Sequence, residues 1–163
     1  IGYWINFNDN IFLFVALFFV IPIWNSFWFF CIHRALHWPF LYRFVHYLHH
    51  RNVSIGPWSG NAMHPFEHII WMGGALIYIP LMCHPVHFLF SQQLSILGAV
   101  TSHSGYERLI FRGKKGIRLG DFFHQLHHRF YECNYGNPEI GIDKMIDSFH
   151  DGEIKPKSLS KSK

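Results

Sequence analysis

Histidines recur in this chain at spacings that suit the binding of a metal ion. The pattern H-x-x-H-H occurs at 46–50 and again at 124–128, and histidine accounts for 14 of the 163 residues. On a helix, residues three and four apart lie on one face, so the three imidazoles of each box are predicted to converge on one point. Neutral imidazole is a common metal ligand, and a nitrogen-rich set suits iron, zinc, copper or nickel.

Three further histidines stand close to these two boxes. His33 and His37 are four residues apart just before the first box, and His103 precedes the second. The predicted metal ligands are therefore His33, His37, His46, His49, His50, His103, His124, His127 and His128. Nine imidazoles are too many for one four-coordinate zinc ion, and they suit a pair of metal ions.

Three other polar residues leave alternatives open. Glu107, four residues after His103, is either a ligand or the partner of a neighbouring arginine. His64 is either a ligand or the cap of a helix that begins at Pro65, and the helix start is favoured because proline suits the first turn. Asp121, just before the second box, could orient a ligating imidazole from behind.

The composition indicates a membrane protein. Apolar residues make up 50% of the chain and charged residues only 15%, whereas soluble proteins carry about 25% charged residues. The net charge is +4, and the basic residues occur in blocks beside the apolar runs. Because the aromatic residues lie within those runs and are not interleaved with the charges, the pattern favours an anionic lipid surface and argues against nucleic acid.

Two uncharged regions predict the membrane architecture. Residues 11–32 contain no charged residue and would span ~33 Å as a helix, about the thickness of a hydrocarbon core. Residues 69–103 are also uncharged, and prolines near the middle predict a hairpin of two helices, roughly 69–82 and 86–103. The predicted fold class is an all-α integral membrane helical bundle with about three transmembrane or hairpin helices.

The remaining segments are predicted to form a cap at one end of this bundle. Residues 1–152 are taken as a single domain, in which 33–68 and 104–152 build a histidine-rich helical cap. The basic blocks place the cap in the cytoplasm by the positive-inside tendency. Within it, 112–118 is predicted to be a basic turn and 143–150 a short docking segment, and the basic tail 153–163 is predicted to be disordered.

The histidine boxes resemble those of the membrane-bound fatty acid hydroxylase and sterol desaturase superfamily. The resemblance covers residues 11–152, and it extends to His103-Ser-Gly-Tyr-Glu107, to His64-Pro-Phe-Glu67 and to 132–137. It implies two iron ions held by the nine histidines, with O2 as co-substrate and two electrons from outside. It also implies an integral protein of a bacterial inner membrane or the endoplasmic reticulum, with the metal site on the cytoplasmic face.

This chain departs from the family pattern in two places. Family members with a tenth ligand carry histidine four residues after the position of His103, where this chain has Glu107. The family also implies four membrane helices, and the apolar regions account for about three. Together with a first residue that is Ile1 and not Met, this predicts a missing N-terminal helix.

The chemistry that the family implies requires a redox-active metal. An unactivated methylene group offers no acidic proton and no electrophilic carbon, so acid–base and nucleophilic side chains have nothing to act on. Zinc has no redox chemistry, although it can replace iron in the same imidazole set during purification. The sequence shows no haem, flavin or G-x-G-x-x-G motif, so we expect an external electron donor, either a ferredoxin or a cytochrome b5-like protein.

The expected reaction is hydroxylation or desaturation of a fatty acyl or sterol-like lipid of the bilayer. Two alternatives use the same histidines. One is a zinc-dependent membrane hydrolase with Glu67 or Glu107 as its base, and the other is a non-enzymatic metal-binding membrane protein. Bound iron and a requirement for O2 would favour the oxygenase, whereas turnover with zinc in the absence of O2 would favour the hydrolase.

Overall fold

The chain folds mainly into helices. A computed structural model describes residues 5, 8–118, 122–137 and 140–152, so Asp121 and the predicted tail from residue 153 lie outside the described residues. In chain order the elements are α1 (Ile11–Leu36), α2 (Pro39–Leu41), a π-helical segment (Tyr42–His46), α3 (Tyr47–His50), a 3-10 segment (Pro57–Asn61), α4 (Pro65–Met72), a second 3-10 segment (Gly73–Tyr78), α5 (Pro85–Ser102), β1 (Arg108–Phe111), β2 (Lys114–Arg118), α6 (Phe122–Phe130) and α7 (Ile142–Met145).

The longest helix, α1, contains the predicted membrane span. Its N-terminus is capped by Asn10, whose side-chain oxygen accepts a hydrogen bond from the Leu13 amide at 3.0 Å. The helix continues through Pro22 to Leu36, about one turn beyond the predicted membrane span 11–32, so it includes His33 as the spacing of His33 and His37 predicts. By length and composition it could cross a membrane, and it is the only such helix in the described part of the chain. A bundle with about three membrane helices therefore remains a prediction.

The predicted hairpin 69–103 differs from the structure in its first arm. The second arm agrees well with α5, but α4 gives way at Gly73 to the second 3-10 segment. Gly73 and Gly74 have low helix propensity, and Gly74 packs closely against α1. A Cβ atom at Gly74 would lie 2.6 Å from the Trp28 ring, and the Trp24 indole donates to the Gly74 carbonyl at 2.9 Å. Tertiary packing thus favours the tighter 3-10 turn at this point.

Helices α1 and α5 run in the same direction. Near the start of both helices the His87 ring lies against Phe14, and further along the side chains of Asn25 and Ser91 meet. The Tyr78 hydroxyl joins this contact at 3.1 Å from Asn25 Oδ1 and 3.0 Å from Ser91 Oγ. Both helices therefore end at the same, histidine-rich end of the molecule.

The segment predicted as a basic turn, 112–118, is instead part of a β-hairpin. Strands β1 and β2 pair antiparallel, with Phe111 opposite Lys114. The two residues between them, Arg112 and Gly113, both have positive φ angles, of 50° and 73°. Such angles are typical of the two-residue turns that match the twist of a hairpin. The all-α prediction is therefore right for most of the chain and wrong here.

Candidate metal centre

The nine predicted ligands come together at the end of the bundle, but they do not converge on one point. They form two adjacent groups, within each of which the candidate ligand atoms all lie within 4.8 Å of one another. Group one consists of His33, His37, His46, His50 and His127, and group two of His49, His103, His124 and His128. Eight of the nine side chains are at most 5% exposed, so both groups are closed to bulk water.

Four helical regions bring these residues together. His33 lies in the last turn of α1 and His37 caps that helix. α2, the π-helical segment and α3 follow one another without a break, and this helix 39–50 carries the first box. His103 caps the end of α5, and α6 carries the second box. The parallel course of α1 and α5 is what places His33 and His103 at the same end.

Each H-x-x-H-H box supplies both groups. In the first box His46 and His50 belong to group one, while His49 belongs to group two. In the second box the assignment is reversed, because His127 belongs to group one and its two neighbours to group two. The predicted single point of convergence was wrong because residues i+3 and i+4 are ~100° apart around a helix axis. The two positions therefore face different groups.

Backbone carbonyls outside the groups orient four of the rings. In group one, Tyr135 O lies 2.7 Å from His33 Nδ1 and Cys133 O lies 2.6 Å from His127 Nδ1. In group two, Ala99 O lies 2.8 Å from His103 Nδ1 and Ala62 O lies 3.4 Å from His49 Nδ1. A carbonyl oxygen can only accept, so each of these Nδ1 atoms carries the ring proton. The other nitrogen of each ring, Nε2, is left with a lone pair directed into the group.

These inward nitrogens crowd one another. In group two, His103 Nε2 lies 3.3 Å from His49 Nε2, although both rings hold their proton on the opposite nitrogen. In group one, the Nε2 atoms of His37, His46 and His127 each lie 3.1 Å from His50 Nε2. Buried lone pairs that face one another without a proton are unfavourable, and a cation between them removes the conflict.

Two further nitrogens point to the same conclusion. His33 Nε2 in group one and His124 Nε2 in group two are buried and have no hydrogen-bond partner among the described residues. The groups are also close to each other, since the rings of His50 and His128 stack with centroids 4.5 Å apart. The donor set therefore fits one metal ion in each group, held by neutral imidazoles.

Burial keeps these imidazoles neutral. Removal from water, the largest cause, lowers the pKa of His37 to about 4, of His49 to about 3 and of His128 to about 2. Neighbouring imidazoles add to the effect at His49 and His128. The pKa values of His46, His50, His124 and His127 are also lowered far below the ordinary value, for the same reasons. The lone pairs are therefore available to a metal at neutral pH.

The Glu67 carboxylate contacts a histidine of group one, a role that the sequence patterns did not predict. This carboxylate is fully buried and lies 2.7 Å from His46 Nδ1, and the Trp71 indole donates to it at 3.4 Å. Burial raises the pKa of this carboxyl group to about 7. A signal was available in the sequence, because Glu67 is the only Asp, Glu, Lys or Arg between residues 52 and 103.

Two other predicted residues, His64 and Glu107, lie outside both groups. The side chain of His64 caps α4, where its Nδ1 accepts a hydrogen bond from the Phe66 amide at 3.2 Å, as the helix-start interpretation expected. Glu107 is half exposed, and its carboxylate lies 3.8 Å from Arg108 Nε.

A loop after the second box holds two of the carbonyl acceptors in place. The buried Asp143 carboxylate accepts hydrogen bonds from the amides of Tyr135 and Gly136, at 2.9 and 2.7 Å. The Ser148 hydroxyl donates to the same carboxylate at 2.6 Å. Asp143 belongs to the segment 143–150, so this segment acts behind group one, a role that spacing in the sequence did not reveal.

A mostly helical chain with one membrane-length helix and two groups of buried histidines defines a class of histidine-box membrane proteins. The comparison with protein families agrees, since residues 18–148 match the fatty acid hydroxylase family. This chain belongs to that family. The apolar helix and the family together indicate a membrane protein.

Several curated proteins are similar to this chain over much of its length. A C-4 methylsterol oxidase of Schizosaccharomyces pombe is 31% identical over 68% of the chain and 39% of its own length. A Delta(7)-sterol 5(6)-desaturase of Eremothecium gossypii is 28% identical, over 91% and 41% respectively. A Delta(7)-sterol-C5(6)-desaturase of Nicotiana tabacum is also 28% identical, over 85% and 50%. The chain thus spans at most about half the length of these relatives, and no solved structure matches it.

Proposed function

We propose that this chain provides the dinuclear iron centre of a membrane enzyme that uses O2 to oxidise a C–H bond of a lipid. The observation that carries the proposal is the division of nine buried histidines into two adjacent groups with inward lone pairs. Relatives named as sterol desaturases and methylsterol oxidases support a lipid substrate, and among lipids a sterol-like one. A fatty acyl chain is the other candidate, by the family's description.

The histidines of each group would hold one iron ion. Bound iron supplies the redox chemistry with O2 that zinc lacks. The protein's part is to keep nine imidazoles neutral, to fix their tautomers through outside acceptors and to exclude bulk water. Group one would bind its ion with five imidazoles and group two with four, so the two ions would have unequal surroundings.

An apolar cavity offers a place for the lipid. It has a volume of about 470 Å³ and lies between α4, the second 3-10 segment and α5, lined mainly by aliphatic and aromatic side chains such as Ile69, Leu76 and Phe88. This volume is typical of sites for small ligands.

The reaction needs two electrons from a separate protein. Hydroxylation inserts one oxygen atom into the C–H bond and releases the other as water, while desaturation removes two hydrogens and releases two waters, and each consumes two electrons and two protons. We propose a ferredoxin or a cytochrome b5-like protein as the donor. We also propose a cytoplasmic location for the centre, at a bacterial inner membrane or the endoplasmic reticulum. Arg34, Arg43 and Arg51 follow the apolar part of α1, and the positive-inside tendency favours this orientation.

The zinc hydrolase alternative is less well supported by the two carboxylates on which it depends. Glu107 is exposed beside Arg108, and the contacting carboxylate oxygen of Glu67 already orients His46. The named relatives are oxidases and desaturases. Oxidation of a lipid is therefore the function that the geometry supports best.

The test measures metal content and oxygen-dependent turnover on the same preparations. The full chain is loaded anaerobically with iron as wild type, as His127→Ala in group one and as His128→Ala in group two. His68→Ala, an exposed histidine outside both groups, is the control. We expect about two irons per chain in the wild type and the control and fewer in each group variant, because the donor set divides into two metal sites.

Turnover is then followed by mass spectrometry with a sterol or a fatty acid, O2 and a reduced ferredoxin. We expect a product that has gained one oxygen atom or lost two hydrogen atoms, formed repeatedly only with the electron donor. Zinc-supported turnover without O2, or iron content unaffected by both group variants, would refute the proposal.

A further inference from the structure

The helix 39–50 presents an apolar face on the side opposite its histidines. Its inner face carries the buried first box together with Val45. Its outer face carries Phe40 and Phe44, which are 71% and 60% exposed, followed by the exposed Tyr47 and Leu48. The outward residues recur at intervals of three and four, so they form one continuous stripe.

This arrangement is the reverse of that in a soluble helix. An ordinary surface helix turns its apolar stripe to the core and its polar residues to water. Here the polar imidazoles are buried and the aromatic side chains point outward. A large exposed apolar surface normally marks contact with a membrane or with another protein.

The charges around the stripe favour a membrane. Arg43 within the helix and Arg51 directly after it are exposed, and Arg34 is exposed in the last turn of α1. There is no Asp or Glu from residue 33 to residue 63. An uninterrupted set of arginines beside aromatic residues complements the phosphates of anionic lipid headgroups, which attract basic side chains.

Exposed tryptophans lie at both ends of this region. Trp38 immediately precedes α2, and Trp58 in the first 3-10 segment is 85% exposed. Tryptophan is enriched at the level of lipid headgroups, because its ring is apolar and its N–H is polar.

The helix 39–50 also begins close to the end of α1, whose outward surface is apolar. Phe19, Ile23 and Phe27 of α1 are exposed and would face lipid if the helix crosses a bilayer. α1 has 26 residues and is therefore ~39 Å long, whereas a hydrocarbon core is ~30 Å thick. Its last turns would reach the headgroups, and helix 39–50 begins only three residues after it ends.

We propose that helix 39–50 lies in the plane of the bilayer, at the boundary between the headgroups and the acyl chains. Phe40 and Phe44 enter the acyl region, while Arg43 and Arg51 extend to the phosphates. The helix that carries the first histidine box therefore lies directly on the membrane surface, and its outer face packs against lipid. This inference concerns a lipid contact and does not depend on the metal or on the oxidation reaction.

The experiment measures which solvent surrounds the stripe. The full chain, with its three cysteines replaced by alanine, carries the single substitution Phe44→Cys labelled with bimane, and Phe40→Cys serves as a second position. Glu132→Cys, at an exposed acidic residue after α6, is the matched control. The protein is placed in vesicles of phosphatidylcholine with phosphatidylglycerol, and bimane fluorescence is quenched either by nitroxide-labelled lipid or by aqueous iodide.

We expect strong quenching by nitroxide lipid and weak quenching by iodide at positions 40 and 44, and the opposite at position 132. Iodide quenching at both helix positions as strong as at position 132 would overturn the proposal. Protection from both quenchers would overturn it as well, because a second copy or another protein would then cover the stripe.

A further variant tests the role of charge. Arg43→Gln combined with Arg51→Gln should raise iodide quenching at position 44 in vesicles that contain phosphatidylglycerol, and should change it little in pure phosphatidylcholine. An equal change in both kinds of vesicle would refute the assignment of these arginines to anionic headgroups.

Discussion

The two histidine groups contain the same kind of ligand and differ in what stands behind it. Group one has five imidazoles, and the buried carboxylate of Glu67 contacts one of them. Group two has four imidazoles, and two of them, His49 and His103, are oriented by the carbonyls of Ala62 and Ala99. A carboxylate behind an imidazole makes the ring a stronger donor to a metal. We therefore expect group one to retain its ion more firmly than group two.

The difference also shows how each group is built. Group one depends on Glu67 and on a loop that Asp143 holds in place, so it relies on buried charge. Group two depends on the close approach of the first 3-10 segment to α5, which is made by Gly60. One repeated pattern in the sequence thus acquires two environments, because different backbone segments pass behind its two copies.

The largest effect that we expect comes from acid, which should act on both groups of the metal-free protein. An unfolded imidazole takes up a proton near pH 6.5, whereas the pKa values of folded His49 and His128 are about 3 and 2. Between these values the unfolded chain binds more protons, so the free energy of unfolding falls as the pH falls. Each such histidine lowers the free energy of unfolding by up to about 1.4 kcal/mol for each pH unit of acidification.

Glu67 opposes this trend in part. Its folded pKa of about 7 exceeds the usual carboxyl value of 4.5. The contribution of Glu67 to the free energy of unfolding therefore rises as the pH falls from about 7 toward 4.5. Several histidines outweigh one carboxyl group, and we expect the thermal midpoint of the metal-free chain to drop markedly between pH 6.5 and 5. A midpoint that stays level over this range would show that the imidazoles are not kept neutral by burial.

The next largest effect should come from Gly60→Ala, which acts on group two. An added Cβ atom would lie 2.2 Å from the Ala99 carbonyl oxygen and 2.8 Å from His103 Nδ1. Because the backbone cannot move as easily as a flexible side chain to relieve the clash, we expect the free energy of unfolding to fall by about 1–3 kcal/mol. The ion of group two should be lost before that of group one.

Gly56→Ala is the control for this prediction, since nothing lies within 4 Å of a Cβ atom at Gly56. Metal content and the thermal midpoint are measured on both variants. Equal behaviour of the two variants would mean that the close approach at Gly60 does not hold group two.

A smaller and more selective effect is expected from Glu67→Ala, which acts on group one. Removing the carboxylate leaves His46 Nδ1 without its acceptor, and changes of this kind lower metal affinity by about 10- to 100-fold. Titration with a competing chelator should show weakening of one ion while the other is unchanged. The control is Glu107→Ala, because Glu107 is exposed and contacts neither group.

If Glu67→Ala and Glu107→Ala release metal at the same chelator concentration, the contrast between the groups would not arise from the buried carboxylate. Weakening of both ions by Glu67→Ala alone would instead mean that the two groups act as one unit.

Much of the fold followed from local patterns. The uncharged run after Asn10 predicted α1, and Pro65 marked the first turn of α4 because proline suits that position. The break at Pro85 marked the boundary before α5. The hairpin of β1 and β2 was missed because its signal is short, a positive-φ pair inside a basic stretch. The 3-10 segment after Gly73 was missed because packing against Trp28 decides it, and local sequence does not show that contact.

The sequence by itself determined which residues meet at the site. Eight histidines at helical spacing, together with His103, identified the set and the family, because a metal needs several equivalent donors and helices display them at fixed intervals. Only the tertiary structure decided how that set divides into two groups, with His49 in a different group from His46 and His50. It also decided that the Glu67 carboxylate contacts His46 Nδ1. The physical reason is that periodicity fixes the angle of a side chain around its own helix. The partner that it meets depends on which other backbone lies opposite.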